Sequence, residues 1–243
     1  MGVRAAVHAR GRAWLPGAVF YIAAKAPRPG LAKTRLGQAI GHERAAALSG
    51  AFLSDWAGRF ADAPFEVVWF FTPPDAWPEI APLVEWTGRQ NRTLAQIEGD
   101  WTERQRELFR GAAARGEGRV LIAAHDSPHT TVGTVAEAFR LLERHDVVVA
   151  PVHDGGYYLL GMRGWHDVLG GVAMSTGSVT QEIVARAEHA GLTVGQLPPT
   201  FDVDEAEDLE QLRDLAAVRD DLPATRAVLA TIPNAECGVR SAE

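Results

Sequence analysis

Apolar residues along the chain gather in short unbroken runs, separated by longer segments in which they recur three or four positions apart. The first run, residues 18–24 (AVFYIAA), is continuous and rich in branched and aromatic side chains, as suits a strand buried on both faces. Residues 41–56 are alanine-rich, with Leu48, Phe52 and Trp56 at four-residue steps, which predicts a helix packed on a sheet. Residues 65–71 (FEVVWFF) read as a second strand, ended by Thr72, Pro73, Pro74 and Asp75. Strand, helix, strand is the start of a parallel α/β sheet. Residues 76–92 mix Trp77 and Trp86 with polar groups and receive no assignment. Residues 94–97 read as a short strand and 101–115 as a helix. A buried strand follows at 119–124, then a helix at 131–144 with Val132, Val135, Phe139 and Leu142 on one face. Residues 146–150 are a further strand, and 157–162 a further apolar run. Ser178 and Gln181 have the spacing of a capping box opening a helix to about Ala190, and 191–195 predict a late strand. Residues 201–209 lead into a helix containing Leu209 and Leu212, before one short helix and a frayed tail.

With 243 residues and 47% hydrophobic content, the chain has ample material for one large core. The division this predicts is a loose extension over 1–16, one large domain over 17–217, and a short helix with tail over 218–243. The extension carries Arg4, Arg10 and Arg12 but lacks the apolar segment of a secretory signal. A net charge of −7 argues against general nucleic-acid binding, which depends on cations neutralising phosphates. No apolar run approaches the ~20 residues that span a bilayer, so no membrane partner is expected. Cys237 is the sole cysteine, which leaves neither an intrachain disulfide nor a thiolate metal cluster and makes a reducing cytoplasm the expected location.

The candidate chemistry begins where the first strand ends. Residues 25–36 hold four cations, Lys25, Arg28, Lys33 and Arg35, in a loop stiffened by Pro27 and Pro29 with one permissive turn at Gly30. Ligands of open α/β sheets bind at the carboxyl ends of the strands, so this loop is where phosphates are expected. Arginine offers a planar fork and lysine a point charge, a mixture suited to a di- or triphosphate. A solvated basic loop is the plain alternative, made less favourable by the two prolines, since stiffening reduces the entropy lost on clamping a ligand. The spacing fits neither a Walker loop nor a dinucleotide fingerprint. Asp126 lies just past another strand end, before Pro128, so its carboxylate is expected to face the same edge; a turn role is its plain reading. Asp202 and Asp204, two apart, point the same way if extended, while Asp204 could equally cap the next helix. Gly155 and Gly156 allow backbone to come close to another group or simply make a turn.

Taken in order, Lys25 to Leu36, Asp126-Ser-Pro128, the DGGYYLLG stretch from Asp154 to Gly161, Ser175-Thr176 and Asp202-Val-Asp204 resemble a bacterial family of small GT-A-fold proteins. These are described as glycosyltransferase-like or nucleotide-diphospho-sugar transferase-like, and some are named for a presumed role in arsenosugar biosynthesis. The resemblance covers roughly residues 18–215 and extends to the 2-phospho-lactate guanylyltransferases, which have a comparable lysine–arginine loop, and more distantly to cytidylyltransferases of sugar acids. It implies a three-layer α/β fold with a mostly parallel central sheet. It also implies that Asp126 and one of Asp202 or Asp204 hold Mg2+ or Mn2+ against nucleotide phosphates, in keeping with magnesium's preference for one or two carboxylates plus phosphate and water. Lys25, Arg28, Lys33 and Arg35 would then bind phosphates, and Gly155, Gly156, Tyr157, Ser175 and Thr176 would form an acceptor pocket. Three positions depart from the family pattern: Met174 stands where tryptophan is common, and His125 and His129 replace small, apolar or branched residues.

The activity implied is glycosyl transfer from a nucleotide-diphospho-sugar to a small acceptor. The metal, Lys33 and the rest of the cationic loop would neutralise the departing diphosphate, and Asp154 would serve as base or positioning group. The alternative is nucleotidyl transfer from a nucleoside triphosphate to a phosphorylated small molecule with release of pyrophosphate. The chain lacks the glycine-rich loop common in sugar nucleotidyltransferases, which counts against that alternative. A third reading is nucleotide binding without catalysis, disfavoured by the cost of clustered carboxylates that hold no metal.

Overall fold

The structure, a computed structural model, describes residues 15–85, 92–174 and 176–233. Residues 1–14 of the expected extension over 1–16, Trp86, Ser175, and the tail with Cys237 lie outside the described residues. In chain order the elements are β1 (Ala18–Lys25), α1 (Thr34–Ile40), α2 (His42–Phe60), β2 (Glu66–Thr72), α3 (Trp77–Val84), β3 (Arg92–Ala95), α4 (Trp101–Ala114), β4 (Arg119–Ala124), α5 (Val132–Leu141), β5 (Val147–Pro151), β6 (Tyr157–Arg163), α6 (Val179–His189), β7 (Val194–Gln196), α7 (Asp208–Val218) and α8 (Pro223–Leu229).

Seven strands form one sheet in the order β3-β2-β1-β4-β6-β5-β7. β1 lies parallel between β2 and β4, with Tyr21 opposite both Val68 and Ile122. β6 alone runs antiparallel, to β4 on one side and β5 on the other. The chain builds outward from β1 to β2 and β3, then returns to β4 on the other flank. This reversal opens a crevice at the carboxyl ends of β1 and β4, the place where such sheets bind ligands.

The apolar runs of the strands are continuous because both faces of the sheet are covered. Phe20, Ile22, Trp69, Leu121 and Val148 meet α2 and α5 through Leu53, Trp56, Phe60, Val135 and Phe139. On the other face, Tyr21, Phe70, Ile122, Val149 and Leu160 meet α4 and α6 through Leu108, Phe109, Ile183 and Ala187. Fully burying each such side chain contributes about 1.5–3 kcal/mol. α2 has a second apolar face, where Ala45, Leu48 and Phe52 join Leu36, Leu209, Leu212 and Leu229. Asp55 of α2 also accepts the backbone N–H groups of Ala224 and Thr225 at 2.9 and 2.8 Å, satisfying otherwise unpaired donors at the start of α8. The short helix expected near the C-terminus is thus anchored on the main body.

Two local expectations are corrected. The 76–92 stretch left without assignment contains α3, whose Pro78 and Pro82 hide its helical period; Ile80 and Val84 form its buried side. The capping box expected at Ser178 does not form: the Ser178 hydroxyl donates to Glu182 at 2.8 Å and no side chain caps α6. Capping boxes occur instead at Asp100 with Glu103 and at Thr131 with Thr134.

Candidate active site

A cleft of about 370 Å³ lies at the carboxyl ends of β1 and β4. Its floor is strand backbone and small side chains, Ala23, Ala24, Ala123 and Ala124, and its polar lining includes Lys25, Lys33, Arg104, Asp126 and Asp202. Trp101, Ile122 and Tyr157 supply apolar surface.

Lys33 organises the cleft. It stands just before α1 with φ 49°, in the left-handed region, and is the sole non-glycine residue there among those described. Such a conformation costs on the order of 1 kcal/mol and persists because the side chain is firmly held. Its ammonium, with a side chain only 4% exposed, lies 2.5 Å from the Val203 carbonyl, 3.2 Å from Asp204 Oδ1 and 3.1 Å from Asp126 Oδ2. Burial would lower the lysine pKa, but Asp126 and Asp204 outweigh it and hold the group above its ordinary range. Withdrawal from water would likewise raise Asp126, yet the Lys33 ammonium holds it below the usual carboxylate range. Asp202 has no such neighbour at hand. Burial first, then the Asp126 charge, push its carboxyl up to about 7, partly offset by the Ser127 hydroxyl donating to Oδ1 at 2.8 Å.

The structure therefore brings Lys33, Asp126, Asp202 and Asp204 together, as the order of motifs implied. Both aspartates of the later pair turn toward the Asp126 edge, Asp202 through Ser127 and Asp204 through Lys33. Among the described residues, no group of three His, Cys, Asp or Glu side chains is spaced to hold a metal ion by itself.

The other cations of the loop separate. Lys25 lines the cleft. Arg28 turns away to Glu79, with Nη2 at 2.5 Å, and to Asp75 at 3.0 Å. Arg35 pairs with Asp204 at 2.5 Å and Glu205 at 3.1 Å. Neither arginine lines the cleft; of the four cations expected to meet phosphates there, Lys25 and Lys33 line it. Arg28 is drawn off by α3, whose unforeseen Glu79 lies beside it, and Arg35 by Asp204 and Glu205.

The region expected to bind an acceptor also divides. Tyr157 lines the cleft, its hydroxyl accepting from Gln105 Nε2 at 2.7 Å. Asp154 is engaged in its own turn, Oδ1 accepting the Gly156 N–H at 2.9 Å, and does not line the cleft. The adjacent glycine turn does allow a close approach: at Gly155, with φ +90°, a Cβ would stand 2.0 Å from the Gly177 carbonyl oxygen. Thr180 fastens the same turn by donating to the Gly156 carbonyl at 2.5 Å. Thr176 is exposed and donates to the Ala173 carbonyl, and none of Gly155, Gly156 and Thr176 lines the cleft.

The two unusual histidines have different settings. His125 is buried, with Nδ1 3.1 Å from the Ala23 carbonyl and Nε2 2.9 Å from Ser49 Oγ. Burial lowers its pKa, so the neutral ring donates to Ala23 and accepts from Ser49, tying β4 to β1 and α2 beneath Asp126. His129 packs edge-on against Tyr158 with ring centroids 4.8 Å apart and also faces Phe201; burial, then Arg219 and Arg59, drive its pKa to about 3.

Sequence reasoning missed Gln96, Arg104 and Gln105. Gln96 follows β3 and donates to the Phe70 carbonyl at 2.8 Å, while Arg104 and Gln105 enter the cleft from the first turns of α4. The available signal was positional: this short strand and helix follow the second strand of a sheet whose carboxyl edge was already implicated.

Residues 59–176 match the family described as "Uncharacterized protein conserved in bacteria (DUF2064)". No curated protein matches the chain. Among solved structures, a "putative nucleotide-diphospho-sugar transferase" from Desulfovibrio desulfuricans G20 is 29% identical with a TM-score of 0.81, covering 89% of this chain and 95% of that one. A cytidylyltransferase from Leptospira borgpetersenii serovar Hardjo-bovis shares the fold at 14% identity and a TM-score of 0.54, covering 88% of this chain and 93% of that one. So does the 4-diphosphocytidyl-2C-methyl-D-erythritol synthase of Anaerococcus prevotii, at 12% identity and a TM-score of 0.55, covering 83% and 97%. Across residues 59–176 the chain carries the pattern of this conserved bacterial family, and its fold as a whole is that of the nucleotide-diphospho-sugar transferases.

Proposed function

We propose that the chain is a nucleotide-using transferase that moves a glycosyl group from a nucleotide-diphospho-sugar to a small acceptor. The observation that carries this reading is the concentration of buried opposing charge, Lys33 with Asp126, Asp202 and Asp204, in a cleft at the switch point of the sheet. The likeness in fold and sequence to the Desulfovibrio protein supports the donor class. Asp126 and Asp202 offer oxygen donors only, and a carboxyl driven up to about 7 beside another is a place where a divalent cation can replace a proton. These two residues fit Mg2+ or Mn2+, which would supply positive charge to the leaving diphosphate. Lys33 adds fixed positive charge at the same edge, and Tyr157, Trp101 and Ile122 shape the apolar side of the cleft and exclude water. Asp154 has no part in this proposal, since its carboxylate is held in its own turn.

The test is product analysis. The protein is incubated with Mg2+ and a panel of nucleotide-diphospho-sugars, then of nucleoside triphosphates, each with pooled hydroxyl-bearing and phosphorylated acceptors. Acceptor-dependent release of a nucleoside diphosphate is expected. Release of pyrophosphate from a triphosphate would replace this reading with nucleotidyl transfer. Nucleotide binding without any product would leave a binding module.

A further inference from the structure

The cations around the cleft differ in what remains free on them. Lys33 has three N–H groups and three oxygen partners, so its ammonium has no donor to spare. Arg28 is occupied by Asp75 and Glu79 and Arg35 by Asp204 and Glu205, and neither arginine lines the cleft. Lys25, at the end of β1, lines the cleft and has no carboxylate within ion-pair distance among the described residues. α4 delivers a second such group, Arg104. Its Nη1 lies 3.2 Å from Gln96 Oε1 and 3.4 Å from Thr72 Oγ1, both neutral, and its Nε is buried without a partner. Gln96 is itself fixed by the Phe70 carbonyl, so the guanidinium is oriented before any ligand arrives.

Two cations facing one cleft, Lys25 more open to water than Arg104, oppose each other. Burial, and next the Arg104 charge, hold the Lys25 ammonium below its ordinary range. An oxyanion lying against both would relieve the repulsion and give the two cations a shared counter-charge.

We propose that Lys25 and Arg104, in the same cleft as the Lys33–Asp126–Asp202–Asp204 cluster, form an oxyanion subsite at its β1–β2–β3 end that takes a phosphoryl or carboxylate group of a substrate. It deepens the nucleotide-transferase reading, on which it rests only for the source of the anion. The phosphate contacts that the loop motif suggested for Arg28 and Arg35 move to Arg104, a residue about 70 positions beyond that loop.

Calorimetric titration with inorganic pyrophosphate in magnesium buffer tests the subsite. Lys25→Gln and Arg104→Gln are each expected to weaken binding about tenfold. Arg104→Lys should fall between, because it keeps the charge and loses the fork. Thermal unfolding of the variants, expected to be unchanged or slightly raised, guards against a folding defect, and Arg104→Lys serves as the second variant if Arg104→Gln fails to fold. Wild-type protein that takes no pyrophosphate, or variants that bind it as wild type does, would overturn the proposal. So would loss on Arg28→Gln with none on Arg104→Gln. Parallel titrations with a nucleoside and its diphosphate identify the source. If the advantage of the diphosphate disappears in the same variants, the anion belongs to the nucleotide; if only pyrophosphate binding weakens, it belongs to the second substrate. Either result upholds the subsite. Pyrophosphate binding without any nucleotide binding would remove the nucleotide reading and leave the subsite in place.

Discussion

The two ends of the central sheet both bury charge, and they do so in opposite ways. At the amino end, Glu117 accepts from Arg92 at 2.6 Å, from Arg115 at 2.9 Å and from the Tyr21 hydroxyl at 2.7 Å, and Arg115 also donates to that hydroxyl at 2.8 Å. Burial would raise this carboxyl, but its partners keep it below the usual range. Every charge there has its complement, and the network ties β1, β3 and the start of β4 to the end of α4. At the carboxyl end, Asp126 and Asp204 share one buried ammonium, and Asp202, beside Asp126 and outside that pairing, is left with a raised pKa. Lys25 and Arg104 meanwhile face the cleft without counter-ions among the described residues. A completed network stabilises a fold; an incomplete one in a cleft is disposed to bind.

This contrast can be broken by substitution. Asp126→Asn should lower turnover by about 10²–10³-fold with a smaller loss of unfolding free energy than at Glu117, because Lys33 keeps the Val203 carbonyl and the Asp204 carboxylate, as steady-state kinetics and denaturant titrations would record. Glu117→Gln should do the reverse, lowering unfolding free energy by on the order of 3 kcal/mol in denaturant titrations while leaving nucleotide affinity unaltered. Equal damage to activity from both would mean the two ends are not functionally distinct.

Asp202 sharpens the comparison through pH. Unfolded, it ionises near 3.8; folded, near 7, so between these values the native state holds the extra proton and stability falls as pH rises. In metal-free buffer Asp202→Asn should raise the melting temperature on the order of 5 °C at pH 8 and hardly at all at pH 4. It should also lose the magnesium dependence of nucleotide binding. His129 contributes the opposite limb. Its folded pKa of about 3 lies below the ordinary 6.5, so its contribution is lost as pH falls from 6.5 toward 3. Both ring nitrogens lack partners, and His129→Phe should flatten the acid side of the stability profile without loss at neutral pH. The smallest effect belongs to the exposed pairs: Arg28→Ala and Arg35→Ala should each move the melting temperature by about a degree or less.

The strands and the cluster were legible in the sequence for the same reason. A strand buried on both faces needs an unbroken apolar run, and polar residues just past its end have only the carboxyl edge to occupy. Residues 18–24, 65–71 and 119–124 show both features, which is how Lys33 and Asp126 could be placed on one edge. What stayed hidden depends on packing between distant segments. Two prolines masked α3, and without α3 nothing reveals that Glu79 captures Arg28. Asp154 beside two glycines is compatible with either a base or a turn, and the 2.9 Å bond to Gly156 decides for the turn. Arg104 reads as one more charged residue on an amphipathic helix until the sheet order places α4 over the ends of β2 and β3.

The central claim is that the Asp126 edge of the cleft binds a nucleotide through a divalent cation. It is tested most directly by titrating a nucleotide-diphospho-sugar into wild-type protein and Asp126→Asn, each with Mg2+ and with chelator. Binding at least about tenfold tighter with Mg2+ is expected in the wild type, with no such gain in the variant. Equal affinity with and without Mg2+, or a gain that survives Asp126→Asn, would contradict it.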